Sequence, residues 1–291
     1  MRAFFMIMVA IVAACGECLA VKKGFGAPKK ASAPRKAALS GKAKQLYKEH
    51  GGDLDSVQAD LFGHYMGELR SRDPTLFGEL VKAQSQDGSA SEAGKEALVA
   101  LTWDVVADCL PVMGGEDARL SSRLDAIAEG VGGRCLDVGC GDGSLVPHLA
   151  RAGRLEAYVG VDVSGGMVRA ARRRHPKRTF VTCGLSEVPG LEEAAGGFDA
   201  VLFVGSFQFF PDAARALADA AAVLRPGGAV VVAHARGGAF VREEARGHPV
   251  VRPMPTAADL GAAGAASGLA VTFAGDDLDA FYHVRLAKEA S

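Results

Sequence analysis

The first part of the chain carries apolar residues at helical spacing. Between residues 54 and 69 they recur at steps of three and four, which predicts a helix with one apolar face. Asp73-Pro74 is expected to be the N-cap and first residue of a second helix. A polar linker is predicted over residues 84–94. Two further helices should follow it, over residues 95–109 and 120–127.

From about residue 134 onward, short apolar runs alternate with helical patterns. This alternation is typical of βαβ units, so the sequence predicts the α/β class with a mostly parallel sheet. Strands are expected near residues 134–138, 157–162, 179–183, 198–204 and 228–234, with a closing pair near 269–274 and 280–286.

A glycine-rich bend follows the first of these strands. Residues 137–143 have the pattern D-x-G-x-G-x-G. Glycine lets the chain reverse sharply and lets backbone N–H groups approach a ligand. A dinucleotide-binding fingerprint would place its third glycine at Ser144. Asp137 and Asp142 would repel a pyrophosphate and attract an ammonium group, so the bend is predicted to bind a cationic ligand.

The next strand also ends in an acid. Asp162 follows an apolar run and lies 19 residues after Gly143, close to the spacing at which an acid meets ribose hydroxyls. Each such hydrogen bond to a carboxylate contributes about 1.5–3 kcal/mol. The alternative is an acid that stabilises the start of a helix at 165–175. Beside the glycine bend, ribose binding is favoured.

Two later segments complete the pattern. Residues 198–204 form a strand that begins with F-D-x-V, and residues 224–228 (L-R-P-G-G) lead into another strand. Pro226 is expected to end a helix and Gly227-Gly228 to form a tight turn. These four motifs, in this order, resemble the class I S-adenosylmethionine (SAM) methyltransferases of the type 11-like group, over roughly the last two-thirds of the chain.

The resemblance implies a Rossmann-like, seven-stranded, mostly parallel sheet in the order 3-2-1-4-5-7-6, with helices on both faces. It implies that SAM binds at the carboxyl ends of strands 1, 2 and 4, and that its methyl group passes to oxygen or nitrogen of a small, apolar or aromatic acceptor. The residues expected to bind SAM are Asp137, Val138, Gly139, Cys140, Gly141, Gly143, Asp162, Val163, Met167, Gly184, Leu185, Val204 and Gly205.

One position departs from the family's pattern. The third strand often ends in an acid that meets the adenine amino group, whereas this chain has Gly184 there. Adenine would then rely on backbone groups near Leu185 and on apolar contacts, with Ser186 or Glu187 as substitutes for the acid.

The sequence says less about the part of the site that would bind the methyl acceptor. His234, at the end of the fifth strand, is either a general base or a loop histidine bonded to the backbone. Arg236 is either an anchor for an anionic substrate or a solvated cation. Of the segment 207–210, two aromatic residues are expected in the core and the others in an apolar acceptor pocket.

Composition excludes several functions. The chain has 291 residues, 49% of them apolar, and a net charge of −1, which argues against nucleic-acid binding. The basic run at 169–178 is explained by a solvated helix face. No run of about 20 apolar residues follows the amino terminus, so no membrane span is expected in the mature chain. The four cysteines beyond residue 20 lack C-x-x-C spacing, and no metal site is predicted.

The amino terminus has the composition of a leader. Residues 1–20 are predicted to be a signal peptide, and residues 21–48, basic and without acids, a disordered transit-peptide-like segment. A bipartite leader of this kind indicates plastid import, and the alternative is the secretory pathway. Residues 49–94 are then a helical extension with a linker, and residues 95–291 the SAM-dependent methyltransferase domain.

Two other functions stay open at this stage. One is a non-catalytic SAM-binding or assembly factor that docks through the helices at 54–82. The other is an NAD(P)-dependent oxidoreductase, which Ser144 and the acids at 137 and 142 disfavour.

Overall fold

The computed structural model describes residues 38–85, 89–113 and 117–289. The predicted signal peptide and the basic segment up to residue 37 lie outside the described residues. The described chain forms two compact units. One holds the residues before 115 together with 247–249, and the other holds 115–246 and those from 250 onward. The first division between the units falls between residues 114 and 115.

The first unit is helical. Its helices are α1 (Ala38–Glu49), α2 (Leu54–Arg72), α3 (Pro74–Gln84) and α4 (Glu92–Cys109). The predicted N-cap of α3 is confirmed, since Asp73 Oδ1 accepts a hydrogen bond from the Leu76 N–H at 2.9 Å. No helix in the described ranges is both long and apolar enough to cross a bilayer.

One helix of this unit was not predicted from the sequence, and another begins earlier than the sequence pattern predicts. α1 occupies residues 38–48 of the segment expected to be disordered, because good helix formers predominate there and Ala43 is fully buried. α4 begins at Glu92, three residues before the expected start. The reason is an N-cap, since Ser91 Oγ accepts a hydrogen bond from the Gly94 N–H at 3.1 Å.

The second unit has the predicted α/β architecture. Its strands are β1 (Gly133–Val138), β2 (Leu155–Asp162), β3 (Thr179–Thr182), β4 (Phe198–Val204), β5 (Leu224–His234), β6 (Leu269–Ala274) and β7 (Tyr282–Lys288). Its helices are α5 (Ala118–Ala128), α6 (Val146–Arg151), α7 (Gly165–Arg174), α8 (Ala213–Val223), α9 (Gly238–Gly247) and α10 (Ala257–Ala265). Short 3₁₀ turns cover Leu185–Gly190, Glu192–Ala194 and Phe207–Phe209.

The seven strands form one sheet in the order β3-β2-β1-β4-β5-β7-β6, which confirms the expected topology. The first five strands are parallel, and β7 is antiparallel to both β5 and β6. The carboxyl ends of β1, β2, β4 and β5 therefore lie at the same edge of the sheet. In open α/β sheets this edge is where ligands bind.

Both faces of the sheet are buried. Alternate strand residues point to opposite faces, so Leu136 and Phe203 join one apolar cluster, while Cys135 and Leu202 join the other. This two-sided burial explains why the central strands read as continuous apolar runs in the sequence. A rigid, fully packed sheet is thus the platform for the loops at its carboxyl edge.

The start of β5 differs from the expected tight turn. α8 ends at Val223, before Pro226, and β5 pairs from Leu224 opposite Phe198. The register then shifts between Phe198 and Ala200, so that the intervening residues of β5 bulge outward. Gly227 accommodates the bulge at φ +74°.

Candidate active site

The glycine bend after β1 uses its own N–H groups for internal hydrogen bonds. Gly139 and Cys140 donate to the Val161 carbonyl of β2 at 2.8 and 3.0 Å, and Gly143 donates to the Cys140 carbonyl at 3.0 Å. Gly141 donates to the Asp162 carboxylate at 2.9 Å. These four N–H groups thus have partners within the protein. The glycines serve to fold the bend against β2.

Close packing requires glycine at two positions of the bend. Gly139 has φ +72°, and a Cβ there would lie 2.5 Å from the Cβ of Ser206. The Ser206 hydroxyl donates to the Val138 carbonyl at 2.5 Å, which joins the end of β1 to the loop after β4. A Cβ on Gly143 would lie 2.7 Å from the ring of His175. Gly141 has open space around it, so its positive φ of +55° alone favours glycine there.

Asp162 lies at the end of β2, beside the bend, and is 8% exposed. Its Oδ2 accepts from the Gly141 N–H, and its Oδ1 accepts from the Ser164 N–H at 2.8 Å. A carboxylate has about four acceptor positions, so ribose hydroxyls can join these two bonds. The helix-capping alternative also has support, because Ser164 is the N-cap of α7.

Asp137 is buried deeply at the end of β1 and is 2% exposed. Tyr158 donates its hydroxyl hydrogen to Asp137 Oδ2 at 2.7 Å. The pKa of Asp137 is raised to about 7. Burial is the main cause and the charge of nearby Asp162 adds to it, while the hydrogen bond from Tyr158 lowers the pKa. A cation bound next to Asp137 would favour its ionised form.

Asp142 makes two contacts within the second unit. Its Oδ2 pairs with Arg174 at 2.8 Å, and its Oδ1 accepts from the Ser144 N–H at 3.1 Å. It is therefore a structural residue that connects the bend to α7. Its salt bridge also corrects the view of the 169–178 run as a wholly solvated face, because Arg172 likewise donates to the Phe180 carbonyl at 3.0 Å.

The expected adenosine side is built around the ends of β2 and β3. The Cys183 N–H donates to the Asp162 carbonyl at 3.2 Å, so the segment before Gly184 lies next to β2. Met167 and Leu185 are buried, whereas Val163 and Gly184 are partly exposed. Glu187, one of the two substitutes considered for the missing acid, accepts from the Gly184 N–H at 2.7 Å and caps the 3₁₀ turn.

The end of β4 lies beside the end of β5. The Gly205 N–H donates to the Ala233 carbonyl at 2.8 Å, and Gln208 Nε2 donates to the Gly205 carbonyl at 2.9 Å. Val204 and Gly205 are both partly exposed. The structure thus brings the predicted methionine-side residues next to the predicted base, since a Cβ on Gly205 would lie 3.9 Å from Cδ2 of His234.

His234 is buried, with 7% of its surface exposed. Its ring stacks on Phe240 with 5.6 Å between centroids and 23° between planes. Its Nδ1 is buried and has no hydrogen-bond partner among the described residues, and the same is true of Gln208 Oε1. Burial lowers the pKa of His234 to about 4, and Arg236 lowers it as well, so the imidazole is neutral at pH 7.

Of the segment 207–210, Phe207 packs in the core against Phe203 with centroids 5.2 Å apart and is 3% exposed. Phe210 also packs against Phe203, at 5.3 Å, and is partly exposed. Phe207 and Phe210 both pack on the core residue Phe203, so these two aromatic residues do not separate cleanly into a core residue and a pocket residue. The polar member, Gln208, is the one that contacts Gly205.

Sequence reasoning missed Glu244, a buried acid on α9 with 8% of its surface exposed. Burial raises its pKa to about 7, partly offset by the charge of Arg236. A helix places residues four apart on the same face, so Glu244 shares a face with Phe240. The four-residue spacing from Phe240 was the one sequence signal for the burial of Glu244. It was overlooked because the residues around Glu244 are mostly polar.

These features define a class of protein. Carboxylates lie buried at the ends of β1 and β2, a tight glycine bend joins those ends, and the sheet has the order 3-2-1-4-5-7-6. The two buried carboxylates fit a ligand with hydroxyl and ammonium groups and would repel a pyrophosphate, and four N–H groups of the bend already have partners within the protein. Residues 136–232 match the family model of the methyltransferase domain. The second unit thus contains a segment, residues 136–232, that is similar to known methyltransferase domains.

Individual relatives agree with this assignment. The chain is 37% identical over 120 residues to a fatty-acid O-methyltransferase of Mycolicibacterium smegmatis, covering 40% of this chain and 43% of that protein. It is also 37% identical over 117 residues to the aklanonic acid methyltransferase of a Streptomyces species, covering 38% and 52%. The chain thus spans about half the length of these curated relatives.

A solved S-adenosylmethionine-dependent methyltransferase from Mesorhizobium loti is 20% identical, with a TM-score of 0.47. The match covers 59% of this chain and 98% of that one.

Proposed function

We propose that the second unit binds SAM and transfers its methyl group to oxygen or nitrogen of a small, apolar or aromatic acceptor. The pair of buried carboxylates, Asp137 and Asp162, carries the proposal. Buried carboxylates are unfavourable unless a cation or hydrogen-bond donors satisfy them. SAM has both, an ammonium group and two ribose hydroxyls.

Each residue of the site has an assigned role in this proposal. Asp162 is assigned to the ribose and Asp137 to the ammonium group. The buried side chains of Met167 and Leu185 are assigned to the adenosine side, and the partly exposed ends of β4 to the methionine side. The names of the two relatives, which refer to a fatty acid and to aklanonic acid, support a small-molecule acceptor.

When bound, SAM supplies a methyl group activated by its sulfonium. The protein's own contribution is then mainly alignment, which can supply about 7–11 kcal/mol. His234 is in its proton-accepting form at neutral pH, because burial lowers its pKa to about 4. A general base contributes about 10²–10⁴-fold at most, and a base with such a low pKa less. Alignment is therefore assigned most of the rate enhancement.

Calorimetric titration of the full chain with SAM and with NADH tests the cofactor. Incubation with labelled SAM and a metabolite extract tests turnover to S-adenosylhomocysteine. We expect SAM binding, no NADH binding, and label in the small-molecule fraction. Binding of NADH without SAM would favour the oxidoreductase. Binding of SAM without turnover would favour a non-catalytic SAM-binding or assembly factor.

We also propose plastid import for this protein, directed by the residues before α1. The basic, acid-free composition of residues 22–36 after an apolar stretch supports a bipartite leader. A fusion of residues 1–37 to a fluorescent protein, expressed in an alga with a secondary plastid, should label the plastid. The matched fusion that lacks residues 1–20 should stay in the cytosol. Export of the full fusion would instead support the secretory pathway.

A further inference from the structure

Arg236 lies on a turn that is fixed by several hydrogen bonds. After β5, the Gly237 N–H donates to the His234 carbonyl at 2.8 Å, and the Gly238 N–H donates to the Leu278 carbonyl at 2.8 Å. Arg123 Nη1 of α5 donates to the Ala235 carbonyl at 2.6 Å. A side chain at Gly237, which has φ +85°, would collide with the segment 279–280. The backbone that carries Arg236 is therefore held in one position.

The guanidinium of Arg236 is held by an aromatic ring and has no acidic partner among the described residues. Its Cζ lies 4.9 Å from the centroid of the Phe240 ring, which orients the side chain by a cation–π contact. Among the residues that the structure describes, it has no salt bridge. Its charge acts on the buried acid Glu244, whose pKa burial raises to about 7. A partly buried positive charge is thus available beside His234.

Two side chains close to Gly205 each have a buried polar atom with no hydrogen-bond partner among the described residues. One atom is Nδ1 of His234, a residue that is 7% exposed, and the other is Oε1 of Gln208, a residue that is 4% exposed. Buried polar atoms in native proteins are nearly always hydrogen-bonded. The side chains that carry these two atoms lie beside Gly205, so polar groups surround the predicted methyl position at the ends of β4 and β5.

We propose that the methyl acceptor is an organic acid whose carboxylate pairs with Arg236. This inference rests on the proposed function and names the class of its acceptor. Guanidinium and carboxylate form a planar, two-point hydrogen-bonded pair. Phe240, in the first turn of α9, supplies an apolar surface beside the guanidinium. Arg236 therefore selects acids over neutral molecules of the same shape.

An experiment that does not require the acceptor's identity can test this. An extract of the organism that encodes the chain is divided in two, and one half is treated with carbodiimide and methylamine, which converts carboxylates to amides. The full chain is then incubated with SAM labelled in the methyl group and either half. We expect label in the small molecules of the untreated half and at least tenfold less in the amidated half.

The matched variants are Arg236→Gln, Arg236→Lys and, as a control, Arg246→Gln. Arg246 is exposed, pairs with Glu243 on the same helix, and has no place in the site. Arg236→Gln should lose about 10- to 100-fold in labelling at unchanged SAM affinity, because a charge-assisted pair is removed. Arg236→Lys should retain part of the activity, and Arg246→Gln all of it.

A direct readout needs no turnover. In a nitrogen-15 spectrum of the full chain, octanoate should shift the Arg236 Nε–H signal, assigned through Arg236→Lys, and octanamide should not. The proposal is overturned if the amidated extract is labelled as strongly as the untreated one, if Arg236→Gln labels like the wild type, or if the amide shifts the signal equally. If neither half of the extract is labelled and SAM does not bind, the proposed function itself fails.

Discussion

The backbone N–H of Gly141 donates to the Asp162 carboxylate at 2.9 Å, which ties the glycine bend after β1 to the end of β2. The carboxylate assigned to the ribose thus also holds the shape of the bend. Its second oxygen caps the start of α7 through Ser164. Substitutions at Asp162 therefore act on ligand binding and on the local backbone together.

Asp162→Asn is expected to weaken SAM binding by about 10- to 100-fold, because a neutral amide accepts fewer and weaker hydrogen bonds than a carboxylate. The control is Asp142→Asn in the same bend. Asp142 is paired with Arg174, so its substitution should change the affinity less than threefold. Calorimetry with SAM gives both values. Equal losses of SAM affinity in the two variants, at equal thermal stability, would contradict the assignment of Asp162 to the ribose.

The affinity for SAM should depend on pH through Asp137. Its pKa in the free protein is about 7, raised mainly by burial. A bound ammonium group stabilises the carboxylate and lowers that pKa, so binding releases a proton below pH 7. The affinity should therefore rise by up to about tenfold per pH unit from pH 5.5 to 7 and then level off. Asp137→Asn should bind weakly at every pH, and a flat wild-type profile would contradict the assignment.

Gly139→Ala should destabilise the protein more than Gly141→Ala. Both positions have positive φ, which costs an alanine about 1–2 kcal/mol. Only at Gly139 does the new methyl group also meet Ser206, at 2.5 Å. Urea unfolding should show a loss of about 1 kcal/mol for Gly141→Ala and at least twice that for Gly139→Ala. Addition of Ser206→Gly should restore part of the second loss, since it removes the colliding Cβ.

Glu244→Gln should stabilise the protein at alkaline pH. Burial raises the folded-state pKa of Glu244 to about 7 from an ordinary 4.5. The folded state therefore holds the proton more tightly, and stability is lost as the pH rises between these two values. The full loss is up to about 3 kcal/mol above pH 7. Urea unfolding should give similar stabilities for both proteins at pH 4.5 and a more stable variant at pH 8.5. The opposite order would mean that ionised Glu244 has a favourable partner.

The strands and their order could be predicted because the central sheet is buried on both faces, so apolar runs such as 198–204 identify strands directly. The positions of Asp137 and Asp162 at the carboxyl ends of β1 and β2 could also be predicted, because each follows an apolar run that ends beside it. Hydrogen bonding within the bend could not be predicted, because glycine spacing shows where the chain turns and not which acceptor each N–H finds.

The acceptor side was harder to predict for a similar reason. Gln208 and Glu244 belong to a turn and a mostly polar helix, and their burial depends on tertiary packing. The helix over 38–48 was missed because a high density of lysine looks like a disordered segment, although lysine and alanine are good helix formers. Composition alone therefore did not distinguish a helix from a disordered segment, because it does not show which residues become buried.

The turn that carries Arg236 rests on the segment just before β7, through the Gly238–Leu278 hydrogen bond and the two-point pair of Arg242 with Asp279. Changes in the length or sequence of residues 275–281 would therefore redirect the guanidinium while the strands stay intact. With the role proposed here for Arg236, acceptor preference would diverge between related chains through this surface loop, with the proposed SAM-binding residues unaltered.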